Sequence, residues 1–374
     1  MLAACHASES APDLGASTVD SVSIDATADP ACASMGIACV TSIESVTALS
    51  VALDADGHPL VAYGAPTARI QVQRWSGTAW EPLGAAIADR DASPLGSGFR
   101  LFVLGDVPHL VSRSEDESLI HVDRRSGAAW EEAWEPPVGW PSARDGTLLM
   151  DSAAHGATLL VAFAKTAVAG PFLAAAFDGA AWTPLTGASG ALVASDLRVS
   201  VSSTGQVAVA YVAGAEPGVR LTTRAPDSSW PPGPVALAVT SPFGFALTAA
   251  DRGVLAHAAG TRLVAEAGDD TEWTMLGDAI DEGSAFGVPA VVEDGDGHAV
   301  VVYTALSEAG QVVRAKRWNG NTWIAVAESA PTLATTPLPT SPAAALRDGK
   351  VAWAVIERTS PGTHIVAYGE APVP

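Results

Sequence analysis

A glycine-centred turn recurs seven times along this chain. A tryptophan recurs six times in step with it, and the last unit stops one strand short. Together these predict an all-β fold: seven four-stranded antiparallel meanders forming a seven-bladed β-propeller, its ring closed by an N-terminal strand. The turns fall at Gly57, Gly105, Gly156, Gly205, Gly253, Gly297 and Gly349, 44 to 52 residues apart. An apolar run follows each, as in Leu159-Leu160-Val161-Ala162-Phe163 and Val300-Val301-Val302-Tyr303. Trp80, Trp130, Trp182, Trp230, Trp273 and Trp323 are each placed to open a fourth strand. Six or eight blades would also fit the spacing. An open solenoid or paired sandwiches would share the period but leave the short last unit unexplained.

The unit from Ser50 to Gly84 shows the pattern most clearly. Apolar and polar residues alternate up to Asp56-Gly57, again through Val61-Ala62-Tyr63, and again from Ile70 to Trp75, before Ser76-Gly77 turns the chain into Trp80. Period-2 apolarity broken by glycine turns is the strand signature, because successive side chains of a strand point to opposite faces. The expected blades are 43–90, 91–140, 141–190, 191–239, 240–282, 283–332 and 333–374, within one domain spanning 31–374. The last turns at Asp348-Gly349, reaches His364-Ile365-Val366-Ala367-Tyr368 and ends, so Met35 to Ser42 is expected to supply its missing strand. Such closure leaves no open edge. The tryptophans then cover gaps between blades, each burial contributing about 1.5–3 kcal/mol, and need no function.

Residues 1–30 read differently. Met1-Leu2-Ala3-Ala4-Cys5 resembles a bacterial lipobox, which implies lipidation of Cys5 and a start upstream of Met1. The Ser-, Ala- and Asp-rich stretch from His6 to Ala31 suits a flexible tether. The expectation is an exported lipoprotein of the cell envelope, in the outer membrane or periplasm, resembling the repeat propellers of bacterial secretomes. Cys32 and Cys39 are expected to form a disulfide in such a compartment, since neither has metal-ligand spacing.

Asp and Glu number 41 against 20 Lys and Arg, for a net charge of −21. A field of that sign repels phosphate backbones and excludes nucleic acid as a partner. No apolar run is long enough to cross a membrane as a helix, so membrane contact is expected only through a lipid anchor. Asp54-Ala55-Asp56-Gly57 and Asp294-Gly295-Asp296-Gly297 resemble fragments of calcium loops but lack the acidic closing ligand. They read as hairpin turns, in which glycine takes positive φ freely. No metal or other cofactor is expected, and calcium is the one ion these segments would allow.

Phe177-Asp178-Gly179-Ala180-Ala181-Trp182 and Trp318-Asn319-Gly320-Asn321-Thr322-Trp323 resemble the Asp-box of sialidase-like propellers, Ser-x-Asp-x-Gly-x-Thr-Trp. They depart from it by one residue of spacing before the glycine. The resemblance implies the fold and no activity. Sialidase chemistry, as that family implies, needs three arginines, a Tyr–Glu nucleophile pair and an acidic Asp. Tyr63, Tyr211, Tyr303 and Tyr368 all lie within repeated strands, and spacing pairs none of them with a glutamate.

The longest loops lie between blades, on the face opposite the glycine hairpins. Asp89, Asp91, Asp145, Asp278 and Asp281, with Trp134, Trp140, Phe243 and Phe286 interleaved, are the candidate ligand-binding residues there. Exposed aromatics among polar loops suit a protein or glycan surface. The sequence points to a non-enzymatic binding or scaffold module, monomeric, with a carbohydrate-active enzyme as the alternative. No catalytic residue is nominated.

Overall fold

A computed structural model of the chain describes residues 38–43, 46–65, 69–90, 98–114, 120–134, 148–165, 172–179, 181–185, 193–213, 218–224, 230, 235–237, 242–269, 272–283, 285–308, 310–329, 341–360 and 363–374. Seven antiparallel sheets of the β-propeller account for all the described strands, and the described residues contain no helix. The innermost strands, from blade 1 to blade 7, are Leu49–Leu53, Phe99–Leu104, Leu148–His155, Val193–Val201, Phe243–Leu247, Ala290–Glu293 and Ala343–Arg347. In blades 1 to 6 the strands follow in sequence from inside to outside. Blade 5 adds a short fifth strand, Asp281–Glu282, on Arg262–Gly268.

Blade 7 is built from both ends of the chain. Its outer strand is Ala38–Ile43, antiparallel to Thr363–Pro372 from Ala38↔Tyr368 to Ile43↔His364, with a bulge between Cys39 and Thr41. The described strand begins three residues after the expected Met35 and ends one later. Cys39 within it is disulfide-bonded. Cys5, Cys32 and the expected tether lie outside the described residues.

Seven hydrophobic clusters sit between successive blades. One joins blades 1 and 2 through Leu60, Ile70, Phe99 and Leu110, and the cluster closing the ring joins blades 7 and 1 through Ala352, Val366, Val51 and Val61. Trp80, Trp130, Trp182, Trp273 and Trp323 stand at or next to the start of an outer strand as expected, whereas Trp230 is buried between blades 3 and 4 but lies ahead of the described outer strand Val235–Leu237. Trp130 donates its indole N–H to the Leu83 carbonyl of the preceding blade at 2.7 Å, and Trp323 repeats the bond to Leu276 at 2.9 Å. The shared 47-residue separation makes this one interblade device used twice.

The two DxDG segments are turns locked by the same bonds. Asp54 Oδ1 accepts the N–H groups of Asp56 and His58, while its Oδ2 accepts Arg74 Nε at 2.8 Å. Asp294 does the same with Asp296, His298 and Arg317. Asp54, Asp56 and His58 bring one possible ligand atom each within 4.8 Å, and the cation already seated on Asp54 is the Arg74 guanidinium. Burial pushes both carboxyls upward. The His N–H and the guanidinium more than offset it and hold both below the usual aspartate range.

The two locks differ in burial, which sets their worth. The Arg317–Asp294 side chains are 12% and 3% exposed, whereas Arg74 is 41% exposed. Asp294→Ala is therefore expected to cost about 3–5 kcal/mol at pH 7, and Asp54→Ala about 1 kcal/mol, in denaturant titrations. Both native pKa values are lowered, so the stabilisation is complete above the unfolded pKa of about 3.9. It fades as pH falls through the native values, and the gap between wild type and Asp294→Ala closes with it.

A second expectation concerns closure. Removing residues 1–43 leaves Thr363–Pro372 an unpaired edge. The truncated chain should unfold at lower denaturant than the full chain and self-associate more strongly in sedimentation experiments.

Candidate functional site: the charged arc of the central channel

The inner strands surround a central cavity of about 1230 Å³. One position of each strand can be followed around it by register. Ser50, Arg100, Asp151, Arg198, Gly244, Ala290 and Ala343 pair with Ala62, Val111, Ala162, Ala210, Ala256, Val302 and Ala354, all buried. Blades 2, 3 and 4 thus carry charge at this position, and the others carry small residues. At this level the charged arc faces Gly244, Ala290 and Ala343, while Glu293 and Arg347 line the same cavity farther along the inner strands of blades 6 and 7.

Part of this polarity serves the fold. Leu101 N–H donates to Ser50 Oγ, Val199 N–H to Asp151 Oδ2 and Leu247 N–H to Ser200 Oγ, each at 2.9 Å. In each case a side chain of one blade satisfies an inner-strand amide of the next. Such amides would otherwise be buried donors without acceptors.

The charges go further. Arg100 Nε donates to Asp151 Oδ1 at 3.0 Å, so Asp151 spans blades 2, 3 and 4. Beside it, the bulge between Val193 and Leu197 turns Asp196 toward Arg198, whose Nη1 lies 2.6 Å from Asp196 Oδ1. Arg198 also stands over the Phe243 ring, 5.9 Å from its centroid. Burial pushes the Asp196 carboxyl above the ordinary aspartate value. Arg198 pulls it down, Asp151 pushes it up again, and the N–H groups of Leu197 and Phe243 pull it down. Arg100 and Arg198 are 31% and 18% exposed, against 5% for Asp151, so the guanidinium groups are the more accessible part of the arc.

The loop-face candidates fare unevenly. Asp89 and Asp278 are exposed. Phe243 is not a loop aromatic. It opens the inner strand of blade 5, fully buried in the cluster between blades 4 and 5, because its alternation partner Phe245 faces the same interface. Asp281 is held by Arg314 Nη1 at 2.7 Å and the Tyr303 hydroxyl at 2.8 Å. Phe286 is half-buried, edge-on to Tyr303 at 6.1 Å. Both therefore fasten the segment joining blades 5 and 6. Asp91, Trp140 and Asp145 lie outside the described residues, as does the side chain of Trp134, whose backbone pairs with Val122.

Arg100, Asp151, Asp196 and Arg198 were not among the sequence candidates. Their signal is a charge inside an otherwise apolar inner strand, in FRLFVL, LLMDSAA and DLRVSV, at one repeat position of three consecutive blades. Aligning the seven units column by column exposes it. Reading each unit for motifs does not.

No family model and no curated protein matches the chain. Solved structures do. A fucose-recognising lectin of Aleuria aurantia, described as a six-bladed propeller, aligns with TM-score 0.51 and 14% identity over 78% of this chain and 97% of the lectin. A mutant of that lectin bound to Fucα1-6GlcNAc gives TM-score 0.51 at 13% identity, covering 77% and 97%. An inactive virginiamycin B lyase of Staphylococcus aureus bound to quinupristin gives 0.53 at 9%, covering 88% and 96%. What they share with this chain is the fold.

The raised Asp196 carboxyl has a sign that can be checked. Its contribution to stability is complete below the unfolded pKa of about 3.9 and is lost as pH rises through the higher native value. Asp196→Asn should therefore gain stability relative to wild type as pH rises from about 3 to 7. Paired urea titrations across that range would show the opposite trend if Arg198 dominated the site.

Proposed function

We propose that this chain is a non-enzymatic glycan-binding propeller. The observation that carries the reading is the channel itself: a polar arc with accessible guanidinium donors in a cavity large enough for a saccharide. The likeness of fold to the Aleuria aurantia lectin supports it. Sugar hydroxyls are met by donors and acceptors set close together, and the arc presents both. A protein ligand on the loop face is the other form of the same binding role. We further propose a monomer held at a bacterial cell envelope by a lipid on Cys5, on the strength of the Leu-Ala-Ala-Cys segment and the polar stretch after it.

A carbohydrate-active enzyme is the second reading, and one observation favours it: burial, with a further push from Asp151, raises the Asp196 carboxyl of the channel. A raised carboxyl beside an ionised one is how acid–base pairs are set. Against it, both Asp151 oxygens are already committed, to Arg100 and to the Val199 amide. A general acid or base needs reach to a substrate proton, and a carboxylate saturated by the fold lacks it.

A glycan-array screen of the chain with and without calcium tests the reading. Retention of a defined set of glycans unchanged after long incubation is expected. Cleavage of the retained glycans would move the assignment to the enzyme, and a blank array would remove glycans as the ligand.

A further inference from the structure

The charged arc does more than the fold asks of it. Ser50 and Asp151 occupy the same repeat position and do the same job, accepting an inner-strand amide of the next blade. A serine suffices for that bond, so edge capping does not explain the charge on Asp151. Arg100 and Arg198 cap no amide at all.

The unused hydrogen-bonding capacity of the arc is lopsided. Among the described residues, Arg100 commits only Nε, to Asp151, and leaves both Nη groups without a protein partner. Arg198 commits Nη1, to the Leu197 carbonyl and Asp196, and leaves Nε and Nη2. The acceptors have less to spare: Asp151 uses both oxygens, and Asp196 Oδ1 takes the Leu197 amide as well as Arg198. The complement of surplus guanidinium donors is a group rich in acceptors and negatively charged.

We propose that the arc of Arg100 and Arg198 binds the anionic substituent, a carboxylate or a sulfate ester, of an acidic glycan lodged in the channel. The inference rests on the glycan reading above and names the class of sugar. The two carboxylates act as buttresses, fixing the planes of the guanidinium groups so that their free edges face the cavity. The sugar ring lies toward the far wall, past Ala290 and Ala343, which line the cavity. At Gly244 the close approach of the next blade allows no other residue: an added Cβ would stand 2.3 Å from the Pro289 carbonyl oxygen.

The net charge of −21 opposes an anion at long range. That field is screened beyond about 8 Å at physiological ionic strength, whereas guanidinium donors inside a partly enclosed channel act on contact. The arc therefore governs the bound state, and the surface field slows the approach.

Matched oligosaccharides test this on the full chain: oligogalacturonate against neutral galactose oligomers, and sulfated against desulfated glycosaminoglycan fragments. Calorimetry should show the acidic member of a pair binding roughly tenfold or more tightly. Nitrogen-15 spectra of the wild-type arginine Nε–H groups should shift with the acidic member alone, a readout that depends on no variant. Arg100→Gln and Arg198→Gln should bring the acidic sugar down to the affinity of its neutral partner. Equal affinity within both pairs, with unmoved arginine signals, would overturn the proposal and leave glycan binding standing. Arginine shifts with inorganic sulfate while every oligosaccharide fails to bind would overturn both the sugar and the glycan reading. A preference for galacturonate over the sulfated fragment, or the reverse, fixes which anion is read.

Discussion

The pairing of Ala38–Ile43 with Thr363–Pro372 is the contact on which the other blades depend. Each blade buries one face against the blade before it and one against the blade after it, so no blade has a complete core alone. In a row, the first and last faces would stay wet. Joining the two ends of the chain within blade 7 turns the row into a ring and gives every sheet two covered faces. Bringing distant ends together costs chain entropy that grows only slowly with separation. The gain, a seventh interface of the same kind as the other six, is large by comparison. The disulfide at Cys39 lies within this closing strand.

Once closed, the ring leaves little freedom between blades. Gly244 and Gly277 of blade 5 show how tight the packing is: a Cβ on either would stand 2.3 Å from the Pro289 carbonyl oxygen or 2.9 Å from the Trp318 indole of blade 6. Interfaces packed to that density fix the rotation of each blade, and thereby the direction in which each inner strand presents its side chains. The channel wall is a consequence of the interfaces. Its residues are held in place by contacts farther out and, except where the next blade closes in as at Gly244, are under less packing constraint themselves, so this is where the seven units can differ from one another.

The repeat was legible because the fold imposes the same demands seven times. Glycine turns, apolar central strands and tryptophans near the outer strand each follow from backbone geometry and burial, which leave a trace in most units. In blade 5, however, the positive-φ turn residue is Asp251, with Gly253 already in the strand, and blade 7 has no such tryptophan. The shortfall of the last unit even indicated where the ring closes. The ligand-facing residues carried no such trace. Phe243 looked like a loop aromatic because the boundary of blade 5 is marked only by proline and glycine, and nothing local says that the strand begins at Phe243. Asp281 and Phe286 looked free because their partners, Arg314 and Tyr303, are more than 15 residues away and belong to the next blade. Arg100, Asp151 and Arg198 became a group only when register brought three blades to one level.

Repetition also makes the arc informative. Burying an ion pair seldom stabilises a fold beyond what apolar residues of the same volume would give, and it can cost several kcal/mol. Blades 5, 6 and 7 show that glycine or alanine at this position satisfies the ring. Blades 2, 3 and 4 therefore depart from what folding needs in the direction that folding does not favour. They do so in adjacent units that share one cavity, with one ion pair across a blade boundary, Arg100–Asp151, and one within blade 4, Arg198–Asp196. Independent drift would scatter such departures around the ring and leave them unpaired. A set of charges that is costly to bury, mutually oriented and open to the channel is better explained by what it holds there than by what it holds together.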